Sequence, residues 1–219
     1  MIDLHLIRHG ETEWHAENRY AGRSDIRLTD RGLRQAAALA ASAPRLDLGL
    51  VASSQLRRAV ETAAPLAAAA GVPHRVDARF EEVDFGRGEG LTRDEMGRRF
   101  PVDLDAFLAR PASHPLPGGE PGAAAVERAV AGLAALVAEH REDAGAIALV
   151  AHTTLIRLML CTFLGLPLDE YRRRFPVVGN VTVTTVRVDA TPVAAELIAS
   201  AGLIAFNMPL SDPEELPAP

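Results

Sequence analysis

The sequence predicts an α/β fold: a three-layer sandwich with a mostly parallel central sheet and helices on both faces. Three observations predict it. Short apolar runs alternate with longer, Ala-rich helical stretches along the 219 residues, the signature of repeated strand-helix-strand units. The first run, Ile2 to Ile7, is apolar at most positions, as in a strand covered on both faces. A chain of this length buries one large core, and no central linker divides it.

The elements follow in order. Ile2, Leu4 and Leu6 alternate with Asp3, His5 and Ile7 in a mostly buried strand. A polar loop leads to Thr29, which caps an Ala-rich helix running to about Ala43, where Pro44 follows. Leu48 to Ser53 reads as a buried strand, Gln55 to Ala70 as a helix closed by Gly71, and Val72 to Val76 as another strand. Between Asp84 and Gly122 the pattern breaks into Gly, Pro and charged residues, so 84–122 is expected to be a lid or substrate-specificity insertion. Its Arg87, Arg93, Arg98, Arg99 and Arg110 are interleaved with acids and read individually as solvated charges. Ala124 to Glu139 forms a long helix, Ala146 to Ala151 a strand, Leu155 to Leu164 a helix before Gly165, and Val181 to Val188 a strand. One domain thus covers 1–207, and 208–219 is an acidic, Pro-containing tail.

Composition narrows the function. A net charge of −6 gives a nucleic-acid partner no electrostatic support, so anion capture has to come from local positive charge. No stretch of about eighteen unbroken apolar residues offers a membrane span. The single Cys161 excludes an internal disulfide, fits a reducing, cytoplasmic compartment and reads as a core residue. The first residues open a strand rather than a charged leader with an apolar run and cleavage site. His5, His74, His114 and His140 lack paired metal-ligand spacing, and no metal is expected. Gly86-Arg87-Gly88-Glu89-Gly90 lacks the strand-turn-helix context of a dinucleotide fingerprint, so no nucleotide cofactor is expected either.

The most informative segment is Leu4 to Thr12, which sets Arg8, His9 and Gly10 directly after an apolar strand. Ligands of open α/β sheets collect beyond the carboxyl ends of strands. Arg8 supplies a planar, permanently charged fork for phosphoryl oxygens. Gly10 allows close backbone approach to a ligand. Neighbouring guanidinium groups penalise a protonated His9 and hold it neutral and nucleophilic.

Read onward through Glu11 to His15, Asn18 to Gly22 and Asp25 to Gly32, this segment resembles the opening of the histidine phosphatase superfamily, the group that includes the cofactor-dependent phosphoglycerate mutases. Three further blocks match in order: Ser53 to Ala63 with Arg58, Glu81 to Gly90 with Glu82, and Leu149 to Arg157 with His152. The resemblance implies a three-layer fold and a catalytic set in which His9 is the nucleophile, Glu82 the general acid and base, and Arg8, Arg58 and His152 hold phosphate. It also implies phosphate or substrate contacts from Thr12, His15, Asn18 and Thr153. Glu81 is the internal rival of Glu82, and counting back from Gly86 in the block favours Glu82.

Several positions depart from the family pattern. His15 stands where many members carry asparagine, and Gln55 replaces a common aspartate with local consequences. Gly88 takes a usual aromatic position, which would widen the entrance. Thr153 and Thr154 replace a glycine pair, their amides still facing the ligand. Pro117-Gly118-Gly119-Glu120 resembles the family's turn before the long helix, with Glu120 as helix cap. Arg172-Arg173-Arg174 reads as a solvated cluster and Asn180 as a backbone-packing residue.

The activity implied is metal-independent phosphomonoester hydrolysis of a small phosphorylated metabolite through a phosphohistidine. A mutase of the phosphoglycerate type is the alternative, and a non-catalytic phosphate-binding protein the third reading. The expected partner is a small-molecule phosphate ester, with neither nucleic acid nor membrane; a homo-oligomer stays open.

Overall fold

The computed structural model describes residues 1–140 and 144–210. In chain order they form β1 (Ile2–Arg8), α1 (Asp30–Ala41), β2 (Leu48–Ser53), α2 (Arg57–Ala70), β3 (His74–Val76), α3 (Arg93–Arg99), α4 (Pro101–Ala109), α5 (Gly122–Glu139), β4 (Ala146–Ala151), α6 (Thr153–Phe163), α7 (Tyr171–Arg174), β5 (Val183–Val188), α8 (Ala194–Ala199) and β6 (Gly202–Met208).

The six strands make one sheet in the order β3-β2-β4-β1-β5-β6. The first four are mutually parallel, while β5 pairs antiparallel with β1 and β6 antiparallel with β5. The expected mostly parallel sheet is therefore observed, with an antiparallel pair at one side.

Alternate residues of the central strands face two separate cores, as strand pleating requires. Ile2, Leu4, Leu6, Ile147 and Leu149 pack with residues of α5 and α6 on one face. Ile7, Val51, Ala148 and Val150 pack with residues of α1 and α2 on the other. That division is the three-layer sandwich. Thr29 caps α1, its side-chain oxygen accepting from Gly32 N at 3.0 Å, and Gly71 ends α2 with a left-handed φ of 69°.

The segment 84–122 is more ordered than its composition indicated. Thr92 and Glu95 form a capping box at the start of α3, Thr92 N donating to Glu95 Oε2 at 2.8 Å and Glu95 N to Thr92 Oγ1 at 3.2 Å. Met96, Phe100, Leu104, Phe107 and Leu116 join the main core. Phe85 and Phe107 stack edge-on with Tyr20 and with each other, centroids 5.0 to 6.1 Å apart. Two details of this region correct the sequence reading. Gly88 is buried, and an added side chain there would strike Leu116 and Met96; the glycine makes room for the core and does not widen an entrance. Glu120 does not cap α5, whose cap position is Pro121; it pairs instead with Arg128 at 2.8 Å and Arg23 at 3.3 Å.

Met208, read from the sequence as the first tail residue, belongs to a strand. Met208 closes β6, paired opposite Val183, and 211–219 lie outside the described residues. Cys161 is fully buried in the main core, as expected. Among the described residues, no helix is long and apolar enough to cross a membrane.

Candidate active site

The parallel pairing of β1 with β4 builds the site. Arg8 lies opposite Ala151 in register, and His9 N donates to Ala151 O at 3.1 Å. The residue after each strand is a histidine, so His9 and His152 meet beyond the strands' carboxyl ends with ring centroids 5.1 Å apart. His9 Nδ1 lies 2.7 Å from Gly10 O. A carbonyl only accepts, so Nδ1 carries the proton and Nε2 keeps its lone pair. Burial, then Arg58, His152 and Arg8, hold the His9 pKa well below its usual value. His152 is likewise held neutral by burial and by Arg58, Arg128 and Arg8. Its Nε2 lies 2.8 Å from Ser54 Oγ, and its buried Nδ1 has no partner.

Two guanidinium groups flank the imidazoles. Arg8 donates to Val178 O at 2.7 Å, and its other terminal nitrogen sits 2.7 Å from His15 Nε2. Burial, followed by Arg157, brings its pKa down to about 10. Arg58, in the first turn of α2 and fully buried, donates to Ser24 O at 2.8 Å and Gly22 O at 2.7 Å. Glu89 braces that loop by accepting from Arg23 N and Ser24 N at 2.7 and 2.9 Å. Both Arg8 and Arg58 leave Nε buried and unpartnered, and neither has a carboxylate within ion-pair distance among the described residues.

Glu82 faces the same cavity. Its Oε1 accepts from Val83 N and Leu155 N, and its Oε2 from Thr154 N, all at 2.9 Å. The amino end of α6 thus holds this carboxylate, as the partial positive charge of helix amides favours. The Thr154 amide therefore faces Glu82 rather than a ligand, which corrects the sequence reading. With one amide on Oε2, a second lone pair remains for a proton. Glu81 turns away to Gln55 Nε2 at 2.6 Å and Arg23 at 3.4 Å. Arg128 donates to the carbonyls of Arg79, Glu81 and Glu82, fixing the backbone under the acid.

A cavity of about 800 Å³ opens over these groups. Arg8, His9, Arg58 and Glu82 line it together with Thr12, His15, Asn18 and Thr153, whereas His152, fully buried beside His9, is not among the lining residues. His15 Nδ1 lies 2.8 Å from Thr12 Oγ1 and 3.0 Å from Thr12 N. Burial, then Arg8, lowers its pKa to about 4. Asn18, one of the lining residues, is exposed and has a left-handed φ of 51°. Asn180 Nδ2 donates to His9 O at 2.7 Å, in keeping with a backbone-packing role. Gly10 is needed for a different reason than expected: a side chain there would lie 2.7 Å from Gly32 O at the start of α1, so the glycine admits that helix and not a ligand.

Sequence reasoning missed other wall residues: Trp14, Tyr20, Phe85, Arg93 and Arg157. The signal for Arg157 was its place four residues after Thr153, on the same helix face. Arg172, read as part of a solvated cluster, also lines the cavity, while Arg173 and Arg174 pair outward with Glu170 at 2.7 and 2.6 Å. His5, His74 and His140 are engaged locally with Thr185, Ser53 and Gly145. Among the described residues, no group of three or more His, Cys, Asp or Glu is arranged to hold a metal ion.

An open α/β sheet with buried, neutral imidazoles and unneutralised guanidinium groups beyond its parallel strand ends defines a protein that handles phosphate esters. The sequence pattern of the histidine phosphatase superfamily (branch 1) matches residues 4–199, and the chain belongs to that family. It is 32% identical over 171 residues to phosphoserine phosphatase 1 of Hydrogenobacter thermophilus, covering 78% of this chain and 80% of that one. It is 34% identical over 185 residues to glucosyl-3-phosphoglycerate phosphatase of Mycolicibacterium vanbaalenii, covering 81% and 79%. Among solved structures, a mycobacterial glucosyl-3-phosphoglycerate phosphatase in complex with VO3 superimposes with a TM-score of 0.83 at 29% identity, covering 95% of this chain and 100% of that one.

Proposed function

We propose that this chain is a metal-independent phosphomonoesterase that hydrolyses a small phosphorylated metabolite through a phosphohistidine on His9. The observation that carries the reading is the tautomer and setting of His9, a lining residue of the cavity: Nδ1 tied to Gly10 O, Nε2 unprotonated, with Arg8, Arg58 and His152 around it. Names of relatives support a phosphatase, since two of those above are phosphatases of small metabolites.

In the first half-reaction, His9 Nε2 attacks phosphorus in line with the ester oxygen. The nitrogen–phosphorus bond forms as the ester bond breaks, and Glu82 in its acid form gives its proton to the departing alkoxide. Arg8 and Arg58 spread the charge of the nonbridging oxygens, work that in phosphoryl transfer is mostly positioning and electrostatics. In the second half-reaction, water gives a proton to the Glu82 carboxylate and its oxygen attacks phosphorus. Phosphate leaves, and the His9 lone pair and the Glu82 acid are restored. On this reading 84–122 roof the cavity as its specificity segment, and the buried Cys161 belongs in a reducing cytoplasm.

Rapid quench with radiolabelled substrate tests the proposal. Wild type is expected to yield an acid-labile phosphoenzyme, and His9→Ala to yield none and lose nearly all turnover. A phosphoenzyme that survives His9→Ala would overturn the assignment. A probable phosphoglycerate mutase of Salmonella choleraesuis, 33% identical over 178 residues, keeps the mutase alternative concrete. Following free phosphate and 2-phosphoglycerate together from 3-phosphoglycerate separates the two: phosphate release supports the esterase, and isomer formation the mutase.

A further inference from the structure

Besides Arg8 and Arg58, the cavity is lined by a second pair of guanidinium groups without ion-pair partners among the described residues. Arg157 on α6 and Arg172 on α7 both line it. Arg157 Nη2 is anchored on Pro176 O at 2.6 Å, and its Nε is buried without a partner. Arg172 Nε donates to the Tyr171 hydroxyl at 3.0 Å, and its guanidinium carbon lies 4.5 Å from the Phe107 ring centroid. Among the described residues, neither has a carboxylate within ion-pair distance, although Arg173 and Arg174 next in sequence do.

Two partly buried cations therefore line the cavity in anchored positions, neither of them in an ion pair among the described residues. Burial holds the Arg157 pKa below its usual value; Tyr171 and Glu82 act against that shift, and Arg172 adds to it. Such an arrangement is costly for the free protein and favourable once an anion arrives. The anchoring contacts engage Arg157 Nη2 and Arg172 Nε and leave Arg157 Nη1 and both terminal nitrogens of Arg172 as donors, which the two oxygens of a carboxylate can share.

We infer that Arg157 and Arg172 form a second anion subsite, which takes a carboxylate carried on the same small skeleton as the phosphate ester. The inference rests on the phosphomonoesterase reading and names its substrate class: phosphorylated carboxylic acids rather than phosphorylated neutral alcohols or sugars.

The test compares 3-phosphoglycerate with racemic glycerol 3-phosphate, which differ in a carboxylate against a hydroxymethyl group. Wild type is expected to prefer 3-phosphoglycerate in kcat/KM. Arg157→Met and Arg172→Met are each expected to shrink that preference on the order of 10- to 100-fold, the range of one charge-assisted hydrogen bond, mainly through KM. Arg157→Lys and Arg172→Lys should restore part of it. Equal treatment of the two esters by wild type, or a preference unchanged in both Met variants, would overturn the subsite. Fructose 1,6-bisphosphate against fructose 6-phosphate forms the second arm. An advantage for the bisphosphate with none for 3-phosphoglycerate assigns the second anion to phosphate and overturns the carboxylate. Calorimetric titration of His9→Ala with the three-carbon esters separates the two proposals. Preferential binding of 3-phosphoglycerate without any p-nitrophenyl phosphate turnover by wild type would sink the esterase and uphold the subsite. Turnover with no preference would do the reverse.

Discussion

Two adjacent carboxylates and a third imidazole carry sharp tests at the scale of single residues. Glu82 faces the cavity while Glu81 is taken by Gln55 and Arg23. Glu82→Gln is therefore expected to slow esters with poor alkoxide leaving groups by roughly 10²–10⁴, and p-nitrophenyl phosphate far less, because only the former depend on acid help. Glu81→Gln should leave that ratio nearly unchanged. Single-turnover phosphoenzyme formation is the measurement, and the opposite pattern would move the acid by one residue. His15 gives a pH test. Its folded pKa of about 4 lies below the ordinary 6.5, so between those values the unfolded chain binds a proton that the folded chain refuses. Stability is then present above about pH 6.5 and falls as pH drops through the window; His9 and His152 act in the same direction. The loss of melting temperature from pH 7 to 4 is expected to be smaller in His15→Asn than in wild type, and an equal or steeper loss would refute the assignment. That Arg8, His9, Arg58, Glu82 and His152 come together in space was legible from the ordered blocks of the family the sequence resembles. Gly10 and Gly88 were misread because what a missing side chain makes room for depends on a distant neighbour, here Gly32 and Leu116.

Single elements explain where pattern reading works and where it fails. β1, β2 and β4 lie inside the sheet, their apolar runs stand out, and their ends fix the histidine pair. β6 escaped notice because it is an edge strand: Leu203 and Ile204 are exposed, and the run shows no alternation to mark a face. α3 was legible in principle from Thr92 and Glu95, whose spacing is that of a capping box, but surrounding Gly and charged residues hid it. The packing of α3 against the short turn Gly86–Gly88 yields a further prediction. Gly88→Trp, which restores an aromatic side chain, has to displace Leu116 and Met96 from the core. A destabilisation of about 1–3 kcal/mol is expected, in the range of overpacked cores, measured as a lowered urea midpoint with an unchanged slope. An unchanged midpoint would mean that Gly88 faces the cavity after all.

The charge of the molecule as a whole runs opposite to that of its site. The chain carries a net charge of −6, yet the cavity gathers Arg8, Arg58, Arg157 and Arg172, and the imidazoles of His9, His15 and His152 are held neutral. Every one of the 23 basic side chains is arginine, so this positive field persists across the working pH range. If these guanidinium groups supply the charge stabilisation that phosphoryl transfer needs, hydrolysis should survive exhaustive chelation, and activity lost and then restored by Mg²⁺ would show otherwise. The same electrostatics bear on stability. Buried cations that repel one another are relieved when an anion binds, and a ligand that binds only the folded state stabilises it by mass action, by about 2.7 kcal/mol at a hundredfold excess over its Kd. For a chain of this size each kcal/mol is worth about 2–4 °C. Saturating inorganic phosphate or vanadate should therefore raise the melting temperature by roughly 5–10 °C and compete with substrate, whereas sodium chloride at equal ionic strength should do neither. The shift should shrink in Arg58→Met, which removes a cation whose contacts are otherwise only carbonyls. A phosphate-induced shift of wild-type size in that variant would place the anion somewhere other than beside His9.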